Sequence, residues 1–236
     1  RTVSADYFGA FSTLLQRLRG ERFVAALSNG ACGDINNHDV MGGVRPNNDR
    51  FQHSERVAGM VAAGALWAWN EITLMSGASV GAAMEEIVLD RKDAPSEADL
   101  QRVREIEQNE KATMAERAFV RRITRRMEDV PDQVSTWVQA LRVGDLGIAA
   151  VPGELMVELG LSIKARSPFE QTMVIELAND SVGYLPTRKS YDEGGYEPEA
   201  SLFQPGCGEQ IADTAVRLLA KLFDQDLSVQ LGVGTA

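Results

Sequence analysis

Residues 134–151 read VSTWVQALRVGDLGIAAV, and this stretch decides the fold class of the chain. Its first ten residues tend to alternate apolar and polar side chains, which is typical of a half-buried strand. Gly144-Asp145 then forms a two-residue hairpin turn, and residues 146–151 are the returning strand. The sequence therefore predicts an antiparallel pair of strands that ends at Pro152-Gly153-Glu154.

Helical and strand patterns alternate on both sides of this hairpin. Short apolar runs predict further strands over residues 23–27, 80–89 and 172–178. Helices are predicted over 5–19, 51–73, 155–165 and 208–224, with two more that begin at the caps Ser96 and Thr113. Such an order is typical of a layered α/β domain in which helices flank a mixed, partly parallel β-sheet. We find no repeat or linker and predict a single domain over residues 1–236.

Composition excludes several classes of protein. Apolar residues make up 44% of the chain and charged residues 25%, which suits one sizeable globular core. The 34 acidic residues outnumber the 24 basic ones, and the net charge of -10 argues against nucleic acid as a partner. The chain contains no run of 18 apolar residues, so the sequence predicts no membrane-spanning helix. The two cysteines, Cys32 and Cys207, allow one disulfide at most.

Three predicted strands end in loops rich in glycine and polar residues. These loops follow Leu27, Val151 and Ala178. In open α/β sheets, ligands bind outside the carboxyl ends of the strands. If the three strands are parallel neighbours, their loops form one crevice.

Glu154 stands where a predicted strand turns into a predicted helix. Its carboxylate suits a metal ligand or a general base. An acid in the first turn of a helix also complements the helix dipole, and the local pattern alone favours that structural interpretation.

Three of the four tyrosines, Tyr184, Tyr191 and Tyr196, lie in one polar loop. Phenols beside carboxylates suit the recognition of a polar ligand, because a phenol both donates a hydrogen bond and stacks. Tyrosines that merely pack beneath a loop produce the same pattern.

The turn Gly30-Ala31-Cys32-Gly33-Asp34 offers backbone N–H groups to an anion. Cys32 and His38 are a thiol and a base, but their spacing in the sequence does not bring them together. The pattern therefore gives little support to a cysteine nucleophile.

Taken together, the loops form a series of short motifs in a fixed order. The series is Ser4-Ala5-Asp6 with Gly9, then NGACGDIN at residues 29–36, then Val151-Pro152-Gly153-Glu154, then Tyr184-Leu185-Pro186-Thr187 followed by Tyr191, Tyr196-Glu197 and Ala200-Ser201. This order resembles the neutral/alkaline, non-lysosomal ceramidases, and most of all their bacterial relatives. The resemblance covers the latter part of that family's catalytic domain, so we expect the chain to be a fragment of it.

The resemblance implies a zinc-dependent amidohydrolase. Its substrate would be a ceramide or another N-acylated small molecule, lipids included, cleaved at the amide bond. By motif, Glu154 and Tyr184 correspond to metal ligands, with the remaining ligands expected from histidines upstream of Arg1. Tyr196 and Asn36 correspond to catalytic positions that face the substrate or the oxyanion. Relatives of this kind are commonly secreted or periplasmic.

Two departures from the family pattern leave an alternative open. Asn36 stands where the family has a serine, and neither His38 nor His53 matches the family's zinc-binding histidines. An upstream segment of the same protein would then be the partner that completes the metal site. The alternative is a degenerate homologue, a non-catalytic ligand-binding module on the same fold.

Overall fold

A computed structural model describes residues 3–37, 39, 42, 51–74, 77–127 and 131–230. It divides the chain into two compact units. The first comprises Arg1–Asn29 and Asn36–Ala78, and the second comprises Gly30–Ile35 and Ser79–Ala236. The single domain predicted over residues 1–236 stays a prediction.

The first unit is a pair of packed helices, α1 (Asp6–Arg19) and α2 (Gln52–Glu71). Phe11 and Leu15 of α1 are buried against Ala58 and Ala62 of α2. Alanine side chains let the two backbones approach closely, and the large residues of α1 fill the space between them. The Ser54 hydroxyl also donates a hydrogen bond to the Asp6 carboxylate at the start of α1.

The predicted strand over residues 23–27 is wrong. This segment runs without strand pairing, and Phe23, Ala25 and Leu27 pack half-buried against the helix pair, while Val24 is 87% exposed. A short apolar run is equally compatible with packing on helices, and here the helices provide the apolar surface.

The second unit is built on a four-stranded sheet, and this confirms the mixed architecture. Its strands are β1 (Val80–Asp90), β2 (Gln133–Val143), β3 (Leu146–Ala150) and β5 (Gln171–Ile175), in the order β1-β2-β3-β5. The first two pairs are antiparallel and the β3–β5 pair is parallel. Gly144 opens the predicted hairpin turn with a φ of 58°, a left-handed conformation that glycine adopts without strain. A separate parallel pair joins β4 (Glu154–Leu155) to β6 (Tyr184–Leu185).

Six helices accompany these strands among the described residues of the second unit. They are α3 (Glu97–Glu107), α4 (Met114–Arg126), α5 (Val157–Arg166), α6 (Arg188–Glu193), α7 (Tyr196–Ala200) and α8 (Cys207–Gln230). Both predicted caps are confirmed, since Ser96 and Thr113 each form a complete capping box.

The core of the second unit lies between the sheet and α8. This helix packs on β1, β2 and β3, and α5 packs on α8 and β5. Leu89 and Val138 of the sheet are fully buried, as are Ile211 and Leu219 of α8. Burial of such apolar side chains is the main stabilising contribution to the fold. Within the described ranges, no helix is both long and apolar enough to span a bilayer.

Candidate functional site

The loops that follow β3 and β5 lie at the same edge of the sheet, because these neighbouring strands are parallel. Backbone hydrogen bonds join them: Ala178 N–H donates to the Val151 carbonyl at 2.9 Å, and Glu154 N–H donates to the Gly183 carbonyl at 2.9 Å. The two loops are thus direct neighbours, as predicted for parallel strands. The third loop, after Leu27, does not follow a strand.

Glu154 and Tyr184 are paired in register across the parallel β4–β6 pair. Gly153 makes this approach possible, because a Cβ atom there would lie 2.5 Å from the Gly183 carbonyl oxygen. The glycine of the Pro-Gly-Glu motif therefore has a steric role, and it brings the two predicted metal ligands side by side.

Tyr184 is half-buried and lies beside Glu154. Burial raises the pKa of Tyr184, and the Glu154 carboxylate raises this pKa further. The Tyr196 ring stands edge-on to the Tyr184 ring, with centroids 5.7 Å apart and an interplanar angle of 81°. The structure thus brings Glu154, Tyr184 and Tyr196 together.

Glu154 does not belong to the first turn of a helix, so the helix-dipole interpretation does not describe it. Helix α5 begins at Val157, whose backbone N–H donates to Asp34 Oδ1 at 2.7 Å. Exposed Glu158 supplies the acid in its first turn. The favourable charge at the helix N-terminus comes from these two residues, and the carboxylate of Glu154 faces Tyr184 instead.

The Gly30–Ile35 segment packs directly on the backbone of Glu154. Gly33 N–H donates to the Leu155 carbonyl at 2.9 Å. A Cβ atom at Gly33 would lie 2.6 Å from the Glu154 carbonyl oxygen. The turn contributes close backbone packing to the site.

Glu176 is a residue of this region that sequence reasoning missed. It follows β5 and is only 5% exposed, yet it carries a carboxylate. Its oxygens accept hydrogen bonds from Cys32 N–H at 3.0 Å, the Cys32 thiol at 2.7 Å and Leu155 N–H at 3.2 Å. The signal in the sequence was a charged residue in the apolar run Met173-Val174-Ile175-Glu176-Leu177. A buried charge in such a run requires partners.

Cys32 is unsuited to act as a nucleophile. Burial, followed by the hydrogen bond to Glu176, raises the pKa of its thiol to about 12. The thiolate is the reactive form, so little of it is present at neutral pH. His38 lies outside the described residues. Cys32 and Cys207 are both free thiols, so the disulfide that the sequence allows does not form.

Tyr191 makes different contacts from the other two tyrosines of its loop. Its hydroxyl donates to Ser201 Oγ at 3.0 Å and to the Phe203 carbonyl at 2.9 Å. Burial raises its pKa. The packing interpretation therefore describes Tyr191, whereas Tyr184 and Tyr196 face each other.

The other predicted site residue, Asn36, is an exposed residue of the first unit, and its role stays a prediction. Among the residues that the structure describes, no group of three histidine, cysteine or acidic side chains is arranged to hold a metal ion. Glu154 and Tyr184 are two neighbouring oxygen donors, and their role as metal ligands stays a prediction.

No protein-family model and no curated protein matches the sequence. Among solved structures, the chain is similar to the neutral ceramidase from Pseudomonas aeruginosa, with a TM-score of 0.69 and 15% identity over 95% of this chain and 41% of that one. It is also similar to a ceramidase complexed with C2, with a TM-score of 0.68 and 14% identity over 95% of this chain and 43% of that one. The predicted likeness is thus confirmed for the fold, and the chain spans about two fifths of the length of these proteins.

Proposed function

We propose that the chain is part of an amidohydrolase that cleaves the amide bond of a ceramide-like or other N-acylated substrate. The observation that supports this proposal is that Glu154, from the loop after β3, meets Tyr184 and Tyr196, from the segment after β5, at one edge of a ceramidase-like fold. Fold alone does not determine a substrate. The support comes from the placement of these three side chains on that fold.

Glu154 and Tyr184 are proposed to hold a zinc ion together with ligands from outside this chain. Glu154 fits zinc in kind, because zinc accepts carboxylate oxygens and a catalytic zinc site takes three protein ligands and leaves one position open. Tyr184, whose raised pKa favours the neutral phenol, would be the weaker of the two ligands. When bound, zinc lowers the pKa of a bound water to about 7 and polarises the carbonyl of the substrate. Histidines of an upstream segment are the proposed source of the missing ligands.

Burial, followed by the neighbouring Glu154 carboxylate, raises the pKa of Tyr184 and favours its neutral phenol. The tight backbone at Gly153 and Gly33 holds Glu154 in place beside Tyr184. Residues held in this way lose little conformational freedom when a ligand binds.

Tyr196 is proposed to contact the substrate. It is 57% exposed and stands beside the half-buried Tyr184, so its phenol is accessible from solvent. A phenol aimed at the developing oxyanion of an amide cleavage donates a hydrogen bond that strengthens in the transition state. Asn36 is proposed as a second donor to the substrate, with its amide in place of a hydroxyl.

The test is hydrolysis of N-acylsphingosine and simpler N-acyl amines by the intact protein, followed by fatty-acid release. Tyr196→Phe removes one hydroxyl, and we expect kcat to fall by about 10²–10³ if this phenol stabilises the oxyanion. Tyr191→Phe is the control, because its hydroxyl bonds Ser201 and Phe203 and is linked to the site only through Ser201, which donates to the backbone carbonyl of Tyr184. Binding of N-acyl ligands without any turnover would favour the non-catalytic binding module instead.

A further inference from the structure

The buried carboxylate of Glu176 is a titratable group for which the proposed chemistry has no use. Burying a carboxylate is costly unless hydrogen bonds compensate for the lost water. Here three donors surround it: two backbone N–H groups and one thiol, from Cys32 and Leu155. No lysine, arginine or histidine is among these hydrogen-bond donors, so neutral donors alone support the charge at close range.

These three bonds join two segments that are distant in the sequence. Cys32 belongs to the Gly30–Ile35 segment, and Leu155 directly follows Glu154 in β4. Two further bonds join the same segments on either side: Gly33 N–H to the Leu155 carbonyl at 2.9 Å, and Val157 N–H to Asp34 Oδ1 at 2.7 Å. The backbone that carries Glu154 is therefore held along its length, with Glu176 at the buried end.

We propose that Glu176 is a positioning residue of the candidate site, which holds the backbone of Glu154 against the Gly30–Ile35 segment so that the Glu154 carboxylate meets Tyr184. This inference rests on the proposed function where it concerns metal binding. The part that concerns structure, in which Glu176 fixes Leu155 and Cys32, does not depend on the proposed function. Groups that orient a metal ligand typically affect metal affinity by 10–100-fold when they are removed.

A carboxylate can accept all three hydrogen bonds at this position, whereas an amide cannot accept the one from the thiol. Two substitutions of Glu176 therefore remove one or all of these hydrogen bonds. Glu176 Oε2 accepts both backbone N–H groups, and Oε1 accepts the thiol. In Glu176→Gln, the single oxygen is able to keep both backbone bonds, while the NH₂ group faces the thiol and cannot accept from it. In Glu176→Met, both acceptor oxygens and all three hydrogen bonds are lost, and two backbone N–H groups stay buried without partners.

Three measurements on the intact protein test the proposal: hydrogen–deuterium exchange of the amides in residues 154–157, alkylation of Cys32 by iodoacetamide, and zinc affinity. For Glu176→Met we expect faster exchange at Leu155, faster alkylation of Cys32, and zinc affinity about 10–100-fold lower. For Glu176→Gln we expect protection and zinc affinity close to wild type, but faster alkylation, because the carboxylate that stabilises the protonated thiol is gone.

Val174→Ala is the control for general destabilisation. It creates a cavity in β5, two residues from Glu176, and leaves every bond of Glu176 in place. We expect a lower melting temperature with unchanged exchange at Leu155 and unchanged zinc affinity.

The proposal is overturned if Glu176→Met keeps wild-type exchange at Leu155, or if Val174→Ala lowers zinc affinity to the same extent. Should Glu176→Met fail to fold, an alkylation rate in Glu176→Gln equal to wild type overturns it. If wild type binds no zinc, the proposed function fails, and exchange and alkylation alone decide the role of Glu176.

Discussion

Glu154 and Tyr184 are direct neighbours across the parallel β4–β6 pair, and burial, followed by the Glu154 carboxylate, raises the pKa of Tyr184. This pairing requires the backbone to pass close to itself at Gly153 and Gly33. The geometry of the site therefore depends on these close backbone contacts as well as on its side chains. The predictions below separate the residues that shape it from those that only support the fold.

Gly33→Ala should disturb the site through its backbone. The new Cβ would lie 2.6 Å from the Glu154 carbonyl oxygen, so one of two packed backbones has to move. We expect a loss of about 1–3 kcal/mol in the free energy of unfolding, as for other overpacked sites. N-acyl hydrolysis should fall with it.

Gly30→Ala is the matched control in the same segment. Its Cβ would lie 3.7 Å from the Val174 carbonyl oxygen, an ordinary van der Waals contact. Urea unfolding of both variants compares them directly. Equal stability of the two variants would contradict the steric role assigned to Gly33.

Tyr191→Phe should lower stability and leave metal affinity unchanged, because Tyr191 is linked to the site only through Ser201 and the backbone carbonyl of Tyr184. Its hydroxyl donates to Ser201 Oγ and to the Phe203 carbonyl, and loss of these bonds typically costs about 1–3 kcal/mol in a buried setting. Tyr184→Phe should show the opposite pattern, with metal affinity reduced at least about tenfold. Thermal unfolding and zinc titration of the two variants check this, and a loss of zinc affinity in Tyr191→Phe would refute the separation.

The sequence was sufficient to predict the sheet and its hairpin, because residues 134–151 have a clear alternation and an unambiguous turn. It also placed Glu154, Tyr184 and Tyr196 in one series of motifs, which the structure brings together. It failed at residues 23–27, where apolar residues pack on helices instead of joining a sheet. A short apolar run does not specify which surface covers it.

Two features of the site could not be predicted from local patterns in the sequence. The burial of Glu176 depends on donors from Cys32 and Leu155, which only the folded chain brings to it. Likewise, Asp34 rather than Glu154 accepts the first amide of α5, although Asp34 is remote from that helix in the sequence. Long-range hydrogen bonds of this kind have no periodicity in the sequence.

Lys92 should make stability depend on pH. Its ammonium donates to the Pro198 carbonyl at 2.5 Å in α7, the helix that begins at Tyr196. Burial, followed by the charge of Arg126, lowers the pKa of Lys92 from 10.5 to about 8. Between these values the unfolded chain binds the proton that the folded chain has released, so the free energy of unfolding increases with pH across this window.

Lys92→Met removes this contribution. We expect the free energy of unfolding of wild type, relative to Lys92→Met, to be higher near pH 10.5 than near pH 8. Urea unfolding at both pH values measures the difference, and the other titrating groups cancel because both proteins carry them. A difference that stays constant between the two pH values would show that Lys92 titrates normally.

The most direct test of the central claim is the zinc content of the intact protein, purified with zinc supplied, in wild type, Glu154→Gln and Glu158→Gln. Glu158 is the matched control, because it is an exposed acid in the first turn of α5 only four residues from Glu154. We predict about one zinc per chain in wild type and in Glu158→Gln, and its loss in Glu154→Gln. A full zinc content in Glu154→Gln, or none in wild type, would contradict the assignment of Glu154 as a metal ligand.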